Sequence, residues 1–320
     1  MEADHCAPAL RCRRVVRGLI LFALFLIAAA AAVAFGDGAA EAGAAAGAVR
    51  PGRMAPDERG SAYCVLDGVP VKLDFYRPAG TSGPAPAVIY IHGGGWVQGN
   101  RASGSGLLDA PALLDAGFAV FSIDYRLAPG HTFPAMIHDV KCAIRSIRAQ
   151  AGHYGIDPDR IGVYGTSAGA HLAALAGVAG ADAGFEVGPH LDQPSSVQAV
   201  VALFGPMDLP ALLRADRNRA RRAVFGDFDL ERASPISYVS AGDPPFLLIH
   251  GDADALVPLE QSTRMHGALK AAGVESTLIV VRNGPHGLLS PRQRPSRAEI
   301  TDAIVGFFKE HLLKRPGAGP

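Results

Sequence analysis

The sequence predicts an α/β fold, a mostly parallel central sheet flanked by helices. Three observations carry this. Continuous apolar runs recur at Ala85–Ile91, Ala119–Ile123, Ile161–Tyr164, Val197–Leu203 and Pro245–Ile249, as strands buried on both faces require. Helix-like segments separate several of them, and such alternation implies crossover connections between parallel strands. The chain of 320 residues is 49% hydrophobic and 19% charged, enough apolar material for a large core.

The elements follow in order. Val71–Tyr76 alternates apolar and polar residues, the pattern of a half-buried edge strand. In Ala135–Arg148, Ile137, Val140, Ile144 and Ile147 share one helical face, with Lys141, Arg145 and Arg148 on the other. An alanine-rich helix is expected from Ala168 to about Ala179. A second amphipathic helix spans Leu259–Ala272 and closes at Gly273. Ser276–Val281 is strand-like. The last helix, Ala298–Leu313, points Ile300, Ile304, Phe307 and Phe308 inward. Residues of about 205–242, from Phe204 to Gly242, break the alternation and carry Arg214, Arg217, Arg219, Arg221 and Arg222. They read as a small helical cap insertion whose arginines form a solvated face.

The N-terminus stands apart. Arg11, Arg13, Arg14 and Arg17 precede an uncharged apolar run from Gly18 to Gly36. This is the layout of a signal sequence with its basic end held in the cytoplasm. Ala32-Val33-Ala34 resembles a cleavage site, yet the run approaches the about 20 residues that cross a bilayer. Residues 1–36 are therefore expected to be a signal peptide or an N-terminal membrane anchor. Residues 37–60, rich in Ala, Gly and Pro, read as a linker, and 61–315 as the folded domain. The expected location is extracytoplasmic, with membrane contact only if the segment is uncleaved.

Formal net charge is zero, so nothing points to nucleic acid as a partner. Of the four cysteines, Cys6 and Cys12 precede the apolar run; Cys64 and Cys142 lie in the domain and are read as two buried thiols, with pairing the alternative if the domain is exported. No two form a CxxC pair, and no metal site or cofactor is expected.

The chemistry concentrates in four places. Gly165-Thr166-Ser167-Ala168-Gly169 lies between an expected strand and an expected helix. There a sharp turn exposes a nucleophilic serine, and the helix N-terminus favours developing negative charge. His92-Gly93-Gly94-Gly95-Trp96 follows an apolar strand. Glycines there let backbone N–H groups of Gly94 and Gly95, with that of Ala168, meet an oxyanion. The loop lacks the lysine of a P-loop and the spacing of G-x-G-x-x-G. Within it, His92 and Gly93 are supporting residues, His92 bracing the loop. An acid is expected after a late strand, where Asp252 and Asp254 both qualify. A base is expected after the last strand, where Asn283-Gly284-Pro285-His286-Gly287 supplies His286.

Together, HGGGW at 92–96, DYRLAP at 124–129, GTSAGAHLA at 165–173, HGDADALVP at 250–258 and the loop around His286 resemble the α/β-hydrolase superfamily. More narrowly they resemble the hormone-sensitive-lipase-like carboxylesterases and the related feruloyl/acetyl esterase-like group. The resemblance implies the α/β-hydrolase fold and a catalytic triad of Ser167, Asp254 and His286. It also implies a structural role for Asp124, Tyr125 and Arg126. Thr166 and Ala170-His171 depart from the lipase-like pattern and resemble the feruloyl/acetyl group and kynurenine formamidase-like enzymes, with His171 read as a packing residue. The implied activity is hydrolysis of carboxylic esters, small or carbohydrate-linked, through an acyl-enzyme. The same triad in an arylformamidase or small-peptide amidase is the alternative, and a silent hydrolase fold used for binding the remote one.

Overall fold

The computed structural model describes residues 54–81, 83–215 and 222–313. The signal or anchor segment, the linker as far as residue 53, and Arg217, Arg219 and Arg221 lie outside them. Among the described residues, no helix is long and apolar enough to cross a membrane.

Eight strands form one sheet: β1 (Glu58–Leu66), β2 (Val69–Tyr76), β3 (Ala85–Ile91), β4 (Ala119–Ile123), β5 (Ile156–Thr166), β6 (Ala199–Leu203), β7 (Phe246–Gly251) and β8 (Ser276–Val281). Their order is β1-β2-β4-β3-β5-β6-β7-β8. β2 pairs antiparallel with both β1 and β4, while β4, β3 and β5 to β8 run parallel. The connections run outward to one side from β3 and to the other from β5. The C-terminal ends of these two strands therefore flank a topological switch point, where open α/β sheets place their sites.

Alternation along the strands divides the core. Ala87, Ile89 and Ile91 of β3 face one cluster, with helices α2 (Ala135–Ala149), α4 (Ala168–Val178) and α6 (Glu260–Ala271) packed on it. Val88 and Tyr90 face the other, covered by α1 (Ala110–Asp115) and α7 (Arg297–Phe308). Gly273, at φ 77°, closes α6, and Ser296 with Glu299 forms a capping box at the start of α7. Ile300, Ile304 and Phe308 are buried as expected, but Phe307 is only partly so.

In four places the structure departs from the sequence reading or adds to it. β2 is not an edge strand: β1, which starts at Glu58 ahead of Ser61, pairs outside it. β1 escaped notice because its apolar residues do not alternate regularly, and two register shifts interrupt its pairing. The polar face of α2 is buried under later chain. Lys141 donates to the Ala179 carbonyl (2.7 Å) and Glu186 (2.8 Å), Arg145 pairs with Glu186, and Arg148 donates to the Ser196 carbonyl (2.8 Å). Returning chain after α4 thus covers a face that periodicity alone assigns to water. Cys64 and Cys142 are not free thiols but a disulfide, since α2 packs on β1 and brings their Cα atoms to 6.5 Å. Finally, the described part of the insertion includes α5 (Leu209–Ala215) and packs Phe225 beside His171 of α4 (ring centroids 6.3 Å). Phe225 meets Trp96 and Phe133 there (ring centroids 5.1 and 5.5 Å).

Candidate active site

A sharp turn joins β5 to α4. Ser167 sits in it at φ 55°, ψ −119°, a backbone region that non-glycine residues rarely adopt. A Cβ on Gly165 would collide with the Gly169 carbonyl, and one on Gly169 with the Ile91 carbonyl. The helix can approach the sheet only because both positions lack a side chain. This crowding holds Ser167 in place at the mouth of α4.

Three strand ends converge on it. His286, in the loop after β8, places Nε2 2.9 Å from Ser167 Oγ and Nδ1 2.7 Å from Asp254 Oδ2. Facing a carboxylate, Nδ1 carries the proton, which leaves Nε2 to accept from the serine hydroxyl. Asp254, in the loop after β7, has a side chain with 0% exposure. Its Oδ1 accepts the N–H groups of Leu256 and Val257, each at 2.9 Å. Burial pushes the Asp254 carboxyl up, but donors from His250, His286 and Val257 outweigh it and hold it well below the usual carboxylate range. Asp252 instead turns to the Asn283 N–H (2.7 Å) and braces the two loops. Of the two candidate acids, only Asp254 meets His286.

The glycine loop follows β3. Gly94 has φ 120°, and a Cβ there would overlap the Gln98 carbonyl; its own carbonyl accepts from Val97 N and Gln98 N at 3.2 and 3.1 Å. His92 lies behind this turn, fully buried. Its Nδ1–H donates to the Gly93 carbonyl (2.7 Å), and its ring stacks on Tyr125 (4.3 Å between centroids). Burial lowers its pKa against the opposing pull of the Gly93 carbonyl. Tyr125 donates to the His92 carbonyl (3.0 Å), Asp124 pairs with Arg101 (2.6 Å), and Arg126 with Asp139 (2.8 Å). Each member of the DYR sequence thus supports this end of the sheet.

Gly93, Gly94, Gly95, Ser167, Ala168 and His286 line one cleft of about 460 Å³. Sequence reasoning missed its other walls: Val97, Gln98, Ser105, Phe204, Pro206, Leu256 and Val257 also line it. Phe204 rests edge-on against the His286 ring (4.8 Å). Phe204 and Pro206 open the segment read as a cap; no local signal marked the others, which share only a place in space. His171 does not reach the cleft. Its Nε2–H donates to the Ala233 carbonyl (2.7 Å), and burial lowers its pKa to about 4, so it is a neutral packing residue.

The arrangement can deprotonate a hydroxyl, stabilise the resulting imidazolium and meet developing negative charge beside a helix N-terminus. A family model described as BD-FAE matches residues 73–269, from β2 through most of α6. The chain belongs to the BD-FAE family. It has the α/β-hydrolase fold, and relatives agree. Esterase LipC of Mycobacterium tuberculosis is 40% identical over 204 residues, which are 59% of this chain and 49% of that one. Esterase LipQ of the same organism is 36% identical over 244 residues, 73% of this chain and 57% of that one. This BD-FAE chain thus spans about half the length of the curated relatives it matches. Among solved structures, a truncated carbohydrate esterase from gut microbiota superposes with a TM-score of 0.70 at 33% identity. That match covers 82% of this BD-FAE chain and 100% of the other.

Proposed function

We propose that this chain is a serine-dependent carboxylic-ester hydrolase working through an acyl-enzyme. The observation that carries the reading is the unbroken relay from Asp254 through His286 to Ser167, at 2.7 and 2.9 Å. Ser167 Oγ attacks the ester carbonyl as His286 Nε2 takes its proton. Negative charge on the carbonyl oxygen is met by the N–H groups of Gly94, Gly95 and Ala168. Collapse of this adduct breaks the C–O bond, and His286 returns the proton to the leaving alcohol. Water, deprotonated by the same histidine, then releases the acid and restores Ser167. Asp254 holds the His286 tautomer throughout and stabilises its imidazolium. The esterase names of the relatives support this activity.

An uncharged ester, small or carbohydrate-linked, suits the cleft better than an arylformamidase substrate. Among the described residues lining it there is no Arg, Lys, Asp or Glu to pair with the ammonium and carboxylate of an amino-acid amide. The Ala170-His171 pair that favoured that alternative is buried and does not line the cleft. The test is turnover of p-nitrophenyl acetate and butyrate by the full chain and by Ser167→Ala. Loss of about 10⁴-fold or more is expected in the variant; equal turnover by both refutes the reading, as does failure of a fluorophosphonate to label Ser167.

The site is proposed to work outside the cytoplasm. The basic cluster from Arg11 to Arg17 and the apolar run after it support export. So does the Cys64–Cys142 disulfide, because such bonds persist in oxidising compartments. Cell fractionation with N-terminal sequencing separates a chain cleaved near Ala34 from an intact, membrane-bound one. An intact chain in the soluble cytoplasm overturns the proposal.

A further inference from the structure

Asp254 stands at the centre of a longer chain of groups than the triad. On its far side His250 Nε2 lies 3.3 Å from Oδ2, the same oxygen that accepts from His286. That nitrogen also faces the Val257 carbonyl at 2.9 Å. With two acceptors before it, Nε2 must carry a proton. His250 Nδ1 in turn meets the Ser262 hydroxyl at 2.7 Å, and both His250 and Ser262 are fully buried. The imidazole is therefore pinned at both nitrogens.

The origin of each group gives the arrangement its meaning. The Leu256 and Val257 N–H groups that hold Oδ1 belong to the same loop as Asp254 and move with it. His250 is part of β7, and Ser262 is part of α6. His250 is thus the donor that ties the carboxylate to the sheet, with α6 steadying it from behind. Ser262 itself has no access to substrate, so the second Ser-His-Asp array is not a second active site.

We propose that His250 is a positioning residue for Asp254: it fixes the rotation of the carboxylate and shares its Oδ2 with His286, which moderates the proton affinity of the base. This rests on the triad reading above. Among the described residues, the ionisable groups shown against the acid are the two histidines. Asp252 is turned to Asn283, and Arg264, on α6, pairs with Asp208 (2.7 Å). Removing the His250 donor leaves His286 as the only side-chain donor on Oδ2. The carboxylate charge then acts more fully on the imidazolium, which becomes easier to form.

The test compares His250→Phe, which fills the space without a donor, with His250→Gln, whose amide N–H replaces Nε2–H. Both are made in the full chain, and kcat/KM for p-nitrophenyl butyrate is followed against pH. In His250→Phe the acid limb is expected to rise by about 0.5–1 pH unit, with kcat down about tenfold and KM nearly unchanged. His250→Gln is expected to restore the parent limb. A lower Tm with an unmoved limb in both variants overturns the proposal. If His250→Phe does not fold, ¹⁵N-histidine NMR of the parent decides: a proton on His250 Nε2 supports the proposal, and one on Nδ1 alone overturns it. Ser167→Ala keeps the two readings apart, since an inactive Ser167→Ala beside an unmoved His250 profile removes only the positioning role.

Discussion

Replacing Asp254 by asparagine tests the relay at its most constrained point. The carboxylate accepts two backbone N–H groups on Oδ1 and the His286 N–H on Oδ2, which also faces His250 Nε2 at 3.3 Å. An amide cannot satisfy both sides. If its oxygen stays with the backbone donors, its NH₂ faces His286 Nδ1. That nitrogen must then accept, and the ring proton moves to Nε2, where it points at Ser167 and blocks deprotonation. If the amide flips, its NH₂ opposes two backbone N–H groups inside a buried site. Hydrogen bonds to a charged group contribute about 1.5–3 kcal/mol each. Losing or inverting two of them costs about 3–6 kcal/mol, or about 10²- to 10⁴-fold in kcat/KM. The assay is p-nitrophenyl butyrate hydrolysis, with Tm recorded from pH 3 to pH 8. Stability supplies a second readout. The folded-state pKa of Asp254 is depressed below its ordinary 3.8. Its stabilisation is therefore complete above that value and is lost as pH falls below it. The Tm gap between parent and Asp254→Asn is expected to be widest above about pH 5 and to narrow in acid. A variant within threefold of the parent, or a gap that ignores pH, refutes the reasoning.

Three further perturbations reach other parts of the molecule. Gly94→Ala places a methyl group against the Gln98 carbonyl at a φ of 120°; kcat is expected to fall about 10²-fold or more, with labelling of Ser167 by a fluorophosphonate slowed in parallel. Cys64→Ser with Cys142→Ser removes a cross-link between residues 78 apart in sequence; denaturant unfolding is expected to show about 2–4 kcal/mol less stability, with the active site intact. Leu256→Asp puts a charge on the cleft wall, where Leu256 is 57% exposed; KM for the butyrate ester is expected to rise about tenfold, and more than for the acetate ester.

Much of the sheet was legible because burial on both faces leaves a continuous apolar record, as in Ala85–Ile91 and Ala119–Ile123, whose limits match the strands. β1 left no such record. It lies at the sheet edge with only part of its surface buried, and its register shifts break the period of two. The polar face of α2 shows a related limit. Lys141, Arg145 and Arg148 look like residues for water, but each finds carbonyl or carboxylate partners on chain 38 or more residues away, from Ala179 to Ser196. Periodicity records which face is apolar; it does not record what later covers the polar one.

The same boundary runs through the site. Ser167, the glycine loop and His286 could be found because local backbone geometry demands particular residues in a row: glycines beside a strained serine, glycines where φ is positive. The choice between Asp252 and Asp254 could not be made from chain chemistry alone, since both are carboxylates on one short loop. It is settled by where the loop after β8 returns, bringing Asn283 to one and His286 to the other. His250 shows the limit most clearly. In sequence it opens the same run that contains Asp254, and a histidine ending a buried strand reads as core. Its role emerges only when Ser262, one helix later, fixes one nitrogen and Asp254 receives the other. The groups proposed to perform bond making were written in local motifs, whereas those that hold them in register were distributed across β7, α6 and the loops between them.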